Sequence, residues 1–157
     1  DPDRIVAAGG SAGGHVAACT GIIRGHEGEG EDLRISSRSN AMILYNPVVD
    51  TTEAGYGVGK VGEERKTEIS PVHHIRRGIP PTLVIHGTAD EIVPFENVVR
   101  FDRLMREAGN RSELIAAEGA GHGFFNGSFF RPKNGDKHYR KSVADSFKFL
   151  ADIGFME

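Results

Sequence analysis

Tryptophan is missing from this 157-residue chain, and cysteine occurs once, as Cys19. One thiol excludes an internal disulfide framework and a zinc site built from cysteines. Neither sign of charge dominates: 19 Lys and Arg stand against 22 Asp and Glu, a formal net charge of −3. Nucleic-acid and membrane-surface binding both draw on a basic field, so neither a nucleic acid nor a membrane is an expected partner. No apolar run approaches the roughly 18 residues of a membrane span. The opening Asp1-Pro2-Asp3 carries no secretory pattern, which together with the lone thiol favours a cytoplasmic setting. What is present is a 38% hydrophobic content, enough for the core of one domain, and an excess of glycine at 21 residues.

Short apolar runs at 5–8, 41–45, 82–86 and 114–117 read as strands. The first three are nearly continuous and do not alternate, which predicts strands buried on both faces, as in a parallel sheet between helices. Residues 12–23 are small and apolar and suit a buried helix. At 94–108, Val98, Phe101, Met105 and Ala108 follow helical spacing, with Pro94 at the opening turn and Gly109-Asn110 as the stop. A last helix is expected over about 137–152, with Tyr139, Val143, Phe147 and Leu150 along one face. Residues 48–77, glycine-rich and charged, read as a surface insertion holding a short helix near 72–76. The alternation predicts a single α/β domain over 1–157, with a mostly parallel sheet of about four strands and flanking helices. No repeat, linker or second domain is visible.

The most specific motif is Gly9-Gly10-Ser11-Ala12-Gly13, a G-x-S-x-G. Alone the pattern carries little weight. Its setting, after a strand and opening a helix, is that of a nucleophile elbow, where a strained turn lifts the serine oxygen above the sheet. Glycines two residues before and after the serine let the chain segments approach. The Ala12 amide would then face an oxyanion at the helix start. The alternatives are Ser11 as an ordinary helix cap and a phosphate-binding loop, although no Gly-Lys-Ser/Thr follows and G-x-G-x-x-G spacing is absent.

A serine nucleophile needs a general base, and the base needs a carboxylate to orient it. Asp90 lies just past the third strand, in His86-Gly87-Thr88-Ala89-Asp90, and His122 lies just past the fourth, in Gly119-Ala120-Gly121-His122-Gly123. Functional groups of parallel sheets collect at such strand ends. The order Ser11, Asp90, His122 is that of an α/β-hydrolase. Asp90 could instead cap the helix that follows it, and Glu91 is a rival acid one residue away. His86 is read as packing at its strand end, and His15 as packing or hydrogen-bonding on the helix after Ser11. His26 and His138 read as surface positions. His73 and His74 are neighbours that do not share a helix face, so chelation is not expected. Phe124 and Phe125, with Phe129 and Phe130, either wall an acyl site or pack beneath the last helix, the latter for most of them.

Three segments together resemble the α/β-hydrolase superfamily in its esterase/lipase branch, with carbohydrate-esterase-like or acetyl-esterase-like character. They are Gly9-Gly10-Ser11-Ala12-Gly13-Gly14-His15, then Pro81 to Asp90 with Val93-Pro94, then Gly121-His122-Gly123-Phe124. Ser70-Pro71 and Pro80-Pro81 add to the likeness. The resemblance implies hydrolysis of short-chain or acetyl esters of small molecules, with Ser11 as nucleophile, Asp90 as acid, His122 as base and no cofactor or metal. A serine peptidase of the same fold, or a non-catalytic remnant acting as an interaction domain, are the alternatives.

The chain departs from the family in two ways. Gly10 stands where the hormone-sensitive-lipase-like group usually has an acidic residue. The family's His-Gly-Gly oxyanion loop and its earlier strands have no counterpart here, since eight residues precede Gly9. The likeness therefore covers the C-terminal half of the fold. Loss of one oxyanion donor costs about 10²–10³ in rate, and an uncovered first strand invites association. The expectation is a chain that self-associates or is completed by an N-terminal half.

Overall fold

The computed structural model describes residues 1–156, with Asn134 by its backbone alone. Its elements run β1 (Val6–Gly10), α1 (Ala12–Ile22), β2 (Ala41–Tyr45), α2 (Val58–Val61), β3 (Thr82–Gly87), α3 (Phe95–Glu107), β4 (Ser112–Ala117), α4 (Gly127–Phe130) and α5 (Lys137–Asp152). The strands form one sheet in the order β1-β2-β3-β4. Every pairing is parallel, as the apolar runs predict.

β2 and β3 are the continuous hydrophobic strands, and their side chains divide between two cores. Met42, Leu44 and Val84 face Ala17, Ala18 and Ile22 of α1 and Val98, Phe101 and Met105 of α3. Ile43, Leu83 and Ile85 face Phe124 and Phe149 on the other side. Burying one such side chain stabilises the fold by about 1.5–3 kcal/mol. The sheet is thus a filled layer between α1 and α3 on one face and α5 on the other.

Several expectations change. β1 extends through both glycines, which pair with Leu44 and Tyr45. None of its five residues is buried, against the reading of its apolar run but in keeping with the expected uncovered first strand, because among the described residues it is an edge strand with β2 as its one neighbour. β4 begins at Ser112, which pairs with Thr82. α1 buries one face only, through Gly14, Ala17, Ala18, Gly21 and Ile22, and leaves Val16 exposed. α5 turns a partly different stripe inward from the expected one: Ser142, Ser146 and Phe149 are buried, Leu150 packs against the core and Val143 is half-buried, whereas Phe147 and Tyr139 are exposed. The two serines tolerate this because their hydroxyls are satisfied. Ser142 Oγ donates to the Tyr139 carbonyl at 2.8 Å and Ser146 Oγ to the Ser142 carbonyl at 2.7 Å. Small hydroxyls let the helix approach the sheet more closely than phenylalanine would.

The 48–77 segment is a surface feature only in its middle. Val48 to Thr51 and Ser70 to Val72 are buried, and its two ends are tied by Val72 N–H to the Val49 carbonyl at 2.9 Å and Thr51 N–H to Ser70 Oγ at 3.2 Å. The helix expected near 72–76 is a 3-10 turn at Pro71–His74. Among the described residues, no helix is long and apolar enough to cross a membrane.

Candidate active site

Ser11 joins β1 to α1 with φ 56° and ψ −121°, a combination that non-glycine residues rarely adopt. Backbone bonds hold the turn: Ser11 N–H donates to the Tyr45 carbonyl at 2.9 Å, and the Ser11 carbonyl accepts from His15 N–H at 3.0 Å. Its side chain caps no helix amide. The ordinary-cap alternative therefore does not describe this serine.

The close approach at the elbow involves Gly9 of the expected pair, together with Gly10 and Gly14 in place of Gly13. A Cβ on Gly9 would fall on the Gly13 carbonyl, whereas one on Gly13 would meet open space. Gly14 is the residue pressed against Pro47, with 3.0 Å between its would-be Cβ and the proline ring. A Cβ on Gly10 would strike the ring of Phe125. That contact gives a local reason for glycine at this position.

Three side chains from three strand ends meet at one point. His122 Nε2 is 2.7 Å from Ser11 Oγ, and His122 Nδ1 is 2.8 Å from Asp90 Oδ2. The carboxylate requires a proton on Nδ1, which leaves Nε2 bare to accept from the serine hydroxyl. The Asp90 side chain is fully buried and that of His122 is 18% exposed. Asp90 Oδ1 accepts from Ile92 N–H and Val93 N–H, both at 2.9 Å. This turn precedes α3, whose cap is Pro94, so Asp90 orders the loop and faces His122 at the same time. Glu91, the rival acid, is exposed.

Asn46 and His86 were not expected to touch this site. Asn46, fully buried with φ 41°, accepts from Gly87 N–H at 2.9 Å through Oδ1 and donates to the Gly121 carbonyl at 3.4 Å through Nδ2. It thereby fixes the start of the Asp90 loop to the His122 loop. Its sequence signal, an Asn-Pro pair after a strand, marks a turn and says nothing of this side-chain role. His86 is fully buried and donates Nε2–H to the Val93 carbonyl at 2.9 Å. The same nitrogen lies 3.3 Å from Asp90 Oδ2, and Nδ1 has no partner. Burial pushes the pKa of His86 below that of an ordinary histidine, against the opposing effect of the Val93 hydrogen bond. His86 therefore does more than pack.

Further stitching joins the two loops. Ala89 N–H donates to the Ala120 carbonyl at 3.1 Å, and Gly119 N–H donates to Thr88 Oγ1 at 2.9 Å. A Cβ on Gly87 would fall on the Ala120 carbonyl, so this glycine admits the His122 loop.

Ser11 and His122 open into a cleft of about 640 Å³ that Ile92, Phe124 and Phe125 help to wall. Phe124 is buried, and Phe125 stacks on Tyr45 with ring centroids 6.0 Å apart. Phe129 and Phe130 do not pack beneath the last helix; they are exposed. His138, read from the sequence as a surface residue, is half-buried, lines the cleft and stands edge-on to Phe124 at 6.1 Å. Arg131 and Lys133 also line it; residues 124–138 carry no periodicity that could have pointed to them.

Ala12 opens α1 with its amide among those that a helix leaves unpaired. His15 packs as expected, with Nδ1–H donating to the Val48 carbonyl at 2.9 Å and Nε2 3.5 Å from Cys19 Sγ. Burial pushes the Cys19 thiol up to about 11, so it stays protonated. His26 faces Glu68 at 3.8 Å. His73 and His74 bond to Ser70 Oγ and the Thr67 carbonyl. Among the described residues, no cluster of His, Cys, Asp or Glu is positioned to hold a metal ion.

Residues 1–150 match the prolyl oligopeptidase family. Esterase 2 of Thermogutta terrifontis superposes with a TM-score of 0.88 at 48% identity, over 99% of this chain and 57% of that one. A probable isoprenylcysteine alpha-carbonyl methylesterase of Arabidopsis thaliana is 30% identical over 145 residues, 78% of this chain and 30% of the plant protein. Esterase LipC of Mycobacterium tuberculosis is 29% identical over 144 residues, 79% of this chain and 36% of that protein. The chain thus spans about a third of these two curated relatives and somewhat over half of the solved structure.

Proposed function

The chain belongs to the prolyl oligopeptidase family and has the α/β-hydrolase fold, and on that footing we propose that it carries the catalytic residues of a serine-dependent carboxylic ester hydrolase acting on short-chain esters. The observation that carries this reading is the hydrogen-bonded line from Ser11 Oγ through His122 to Asp90, with Ser11 held in a strained elbow.

In the proposed mechanism His122 Nε2 takes the Ser11 proton as Oγ bonds to the ester carbonyl carbon. The Ala12 amide donates to the oxyanion, aided by the start of α1. His122 then gives the proton to the leaving alcohol as the C–O bond breaks. Water, activated by the same histidine, releases the acid and restores Ser11. Asp90 holds the imidazole with its proton on Nδ1 and stabilises the imidazolium. The preference for short acyl groups draws on the solved Thermogutta esterase structures with propionate and with butyrate bound. Phe124 and Phe125 would form the apolar wall for such a group.

The test is hydrolysis of p-nitrophenyl propionate together with fluorophosphonate labelling, for the native protein and for Ser11→Ala. Turnover and a label mapped to Ser11, both lost in the variant, are the expected result. Equal rates in the two proteins would exclude Ser11 as nucleophile. The family match favours a second reading, a serine peptidase using the same residues. Cleavage of peptide amides without ester turnover would establish it in place of the first.

A further inference from the structure

This inference rests on the esterase reading and concerns the charge of the cleft. Arg131, Lys133 and His138 line the same cleft as Ser11 and His122, and among the described residues no carboxylate lines it. Neighbouring surface cations are neutralised one helical turn away: Lys141 by Asp145 at 2.8 Å and Lys148 by Asp152. Among the described residues, Arg131 and Lys133 have no such partner. The carboxylate nearest in sequence, Asp136, is already engaged, with Oδ1 accepting from Ser128 N–H at 2.7 Å and Oδ2 facing Arg140 at 4.0 Å.

Two uncompensated cations on a cleft wall create a positive potential that concentrates anions beside the reacting atoms. A guanidinium offers a planar fork that matches carboxylate or phosphate oxygens, and an ammonium adds a point charge. The chemistry also assigns the side of the ester. The leaving oxygen must come within hydrogen-bond reach of His122 Nε2 to be protonated, so the alcohol part lies on the His122 side. The basic residues follow that histidine in the chain and line the same cleft.

We propose that this site takes esters whose alcohol part bears an anionic group, a carboxylate or a phosphate, held by Arg131 and Lys133 while Ser11 attacks the carbonyl. In the reaction the Ser11 Oγ–carbon bond forms, the bond to the anionic alcohol breaks, and that alcohol leaves with the proton from His122. Water then cleaves the acyl-serine, so one ester and one water give one carboxylic acid and one anionic alcohol.

The experiment compares kcat/KM for 4-acetoxybenzoate and 4-acetoxyphenyl phosphate with that for uncharged phenyl acetate, between about 0.02 and 0.5 M salt. At low salt the anionic esters are favoured about tenfold, and the preference collapses as salt screens it, while phenyl acetate responds little. Arg131→Ala combined with Lys133→Ala lowers the anionic-to-neutral ratio about five- to tenfold. Lys148→Ala, outside the cleft, leaves the ratio as it was. Whichever anion gains more names the group recognised.

An identical salt response for charged and uncharged esters, or a ratio untouched by the double variant, overturns the proposal. A preference for p-nitrophenyl hemisuccinate, with its charge on the acyl side, in place of the alcohol-charged esters overturns it equally. If no ester turns over and Ser11 takes no label, the esterase reading fails and this one falls with it. If phenyl acetate turns over without any charge preference, only the anion proposal fails.

Discussion

Asp90 follows a strand in which all six residues are buried; Ser11 follows one in which none of the five is. β3 lies between β2 and β4, and two backbone amides and His122 bond to its acid while His86 approaches it. Asp90 therefore takes its position from the core. β1 sits at the sheet edge, and its serine takes its position from local backbone geometry: a strained φ, one bond to Tyr45, and glycines that let Gly13, Pro47 and Phe125 come close. Damage to the two regions should differ in kind. Core changes near β3 act through stability. Changes at the elbow act through the placement of one oxygen.

The largest expected effect is at the elbow. Ser11→Ala should cut kcat/KM by about 10⁴-fold or more in the ester assay. Ser11→Gly should be as inactive, yet stabilise the protein by about 1 kcal/mol in urea unfolding, because glycine relieves the strain at φ 56°. An unchanged or lowered stability for the glycine variant would show that the elbow stores no strain.

On the β3 side, Leu83→Ala should cost about 2–5 kcal/mol, since Leu83 is fully buried. The smaller truncation at the edge, Val6→Ala, should cost under about 1.5 kcal/mol, a larger drop than the one fewer carbon removed accounts for, because Val6 is half-buried. Similar losses at the two positions, measured by denaturant unfolding, would erase the contrast between the strands.

A smaller effect probes how the elbow is packed. Gly10→Ala sets a methyl group against the Phe125 ring and should lower kcat/KM about tenfold, with a stability loss of about 1–3 kcal/mol. Adding Phe125→Ala removes the obstacle. The double variant should recover part of both losses, a coupling of at least about 0.5 kcal/mol in a double-mutant cycle. Strict additivity would mean that Gly10 is required for a reason other than Phe125.

The same contrast explains what could be read from the sequence. The order Ser11, Asp90, His122 was legible because each lies just beyond a strand run, and a parallel sheet brings such ends together. β2 and β3 were legible because both their faces are apolar. The exposure of β1 could not be read from its own residues, since Val6, Ala7 and Ala8 have the composition of a buried strand; it was expected only because the family's earlier strands have no counterpart beside it. The inward stripe of α5 was legible at Leu150 but not at Ser142 and Ser146, because serines carry no apolar signal and their hydroxyls are satisfied by the helix carbonyls. Asn46 and His86 act through bonds to backbone and carboxylate groups distant in sequence or hidden within a strand end. No periodicity reports such bonds.

The buried surroundings of Asp90 should carry a pH cost that the half-buried elbow does not. Burial holds the folded pKa of His86 below its unfolded value, and Asp90, His122 and Glu96 are the charged or titratable groups that act on it. Below about pH 6.5 the unfolded chain binds a proton at His86 that the folded chain refuses. The unfolded state then holds more protons, so stability falls as pH drops through that value, with a limiting slope of about 1.4 kcal/mol per pH unit until the folded pKa is reached. His86→Gln cannot titrate and keeps a donor for the Val93 carbonyl. Its stability should therefore decline less steeply than that of the native protein between about pH 6.5 and 5, with the two curves parallel above pH 7. Parallel curves throughout would show that the folded protein accepts the proton on Nδ1. The buried pocket beside Asp90 would then tolerate charge as readily as the open elbow beside Ser11.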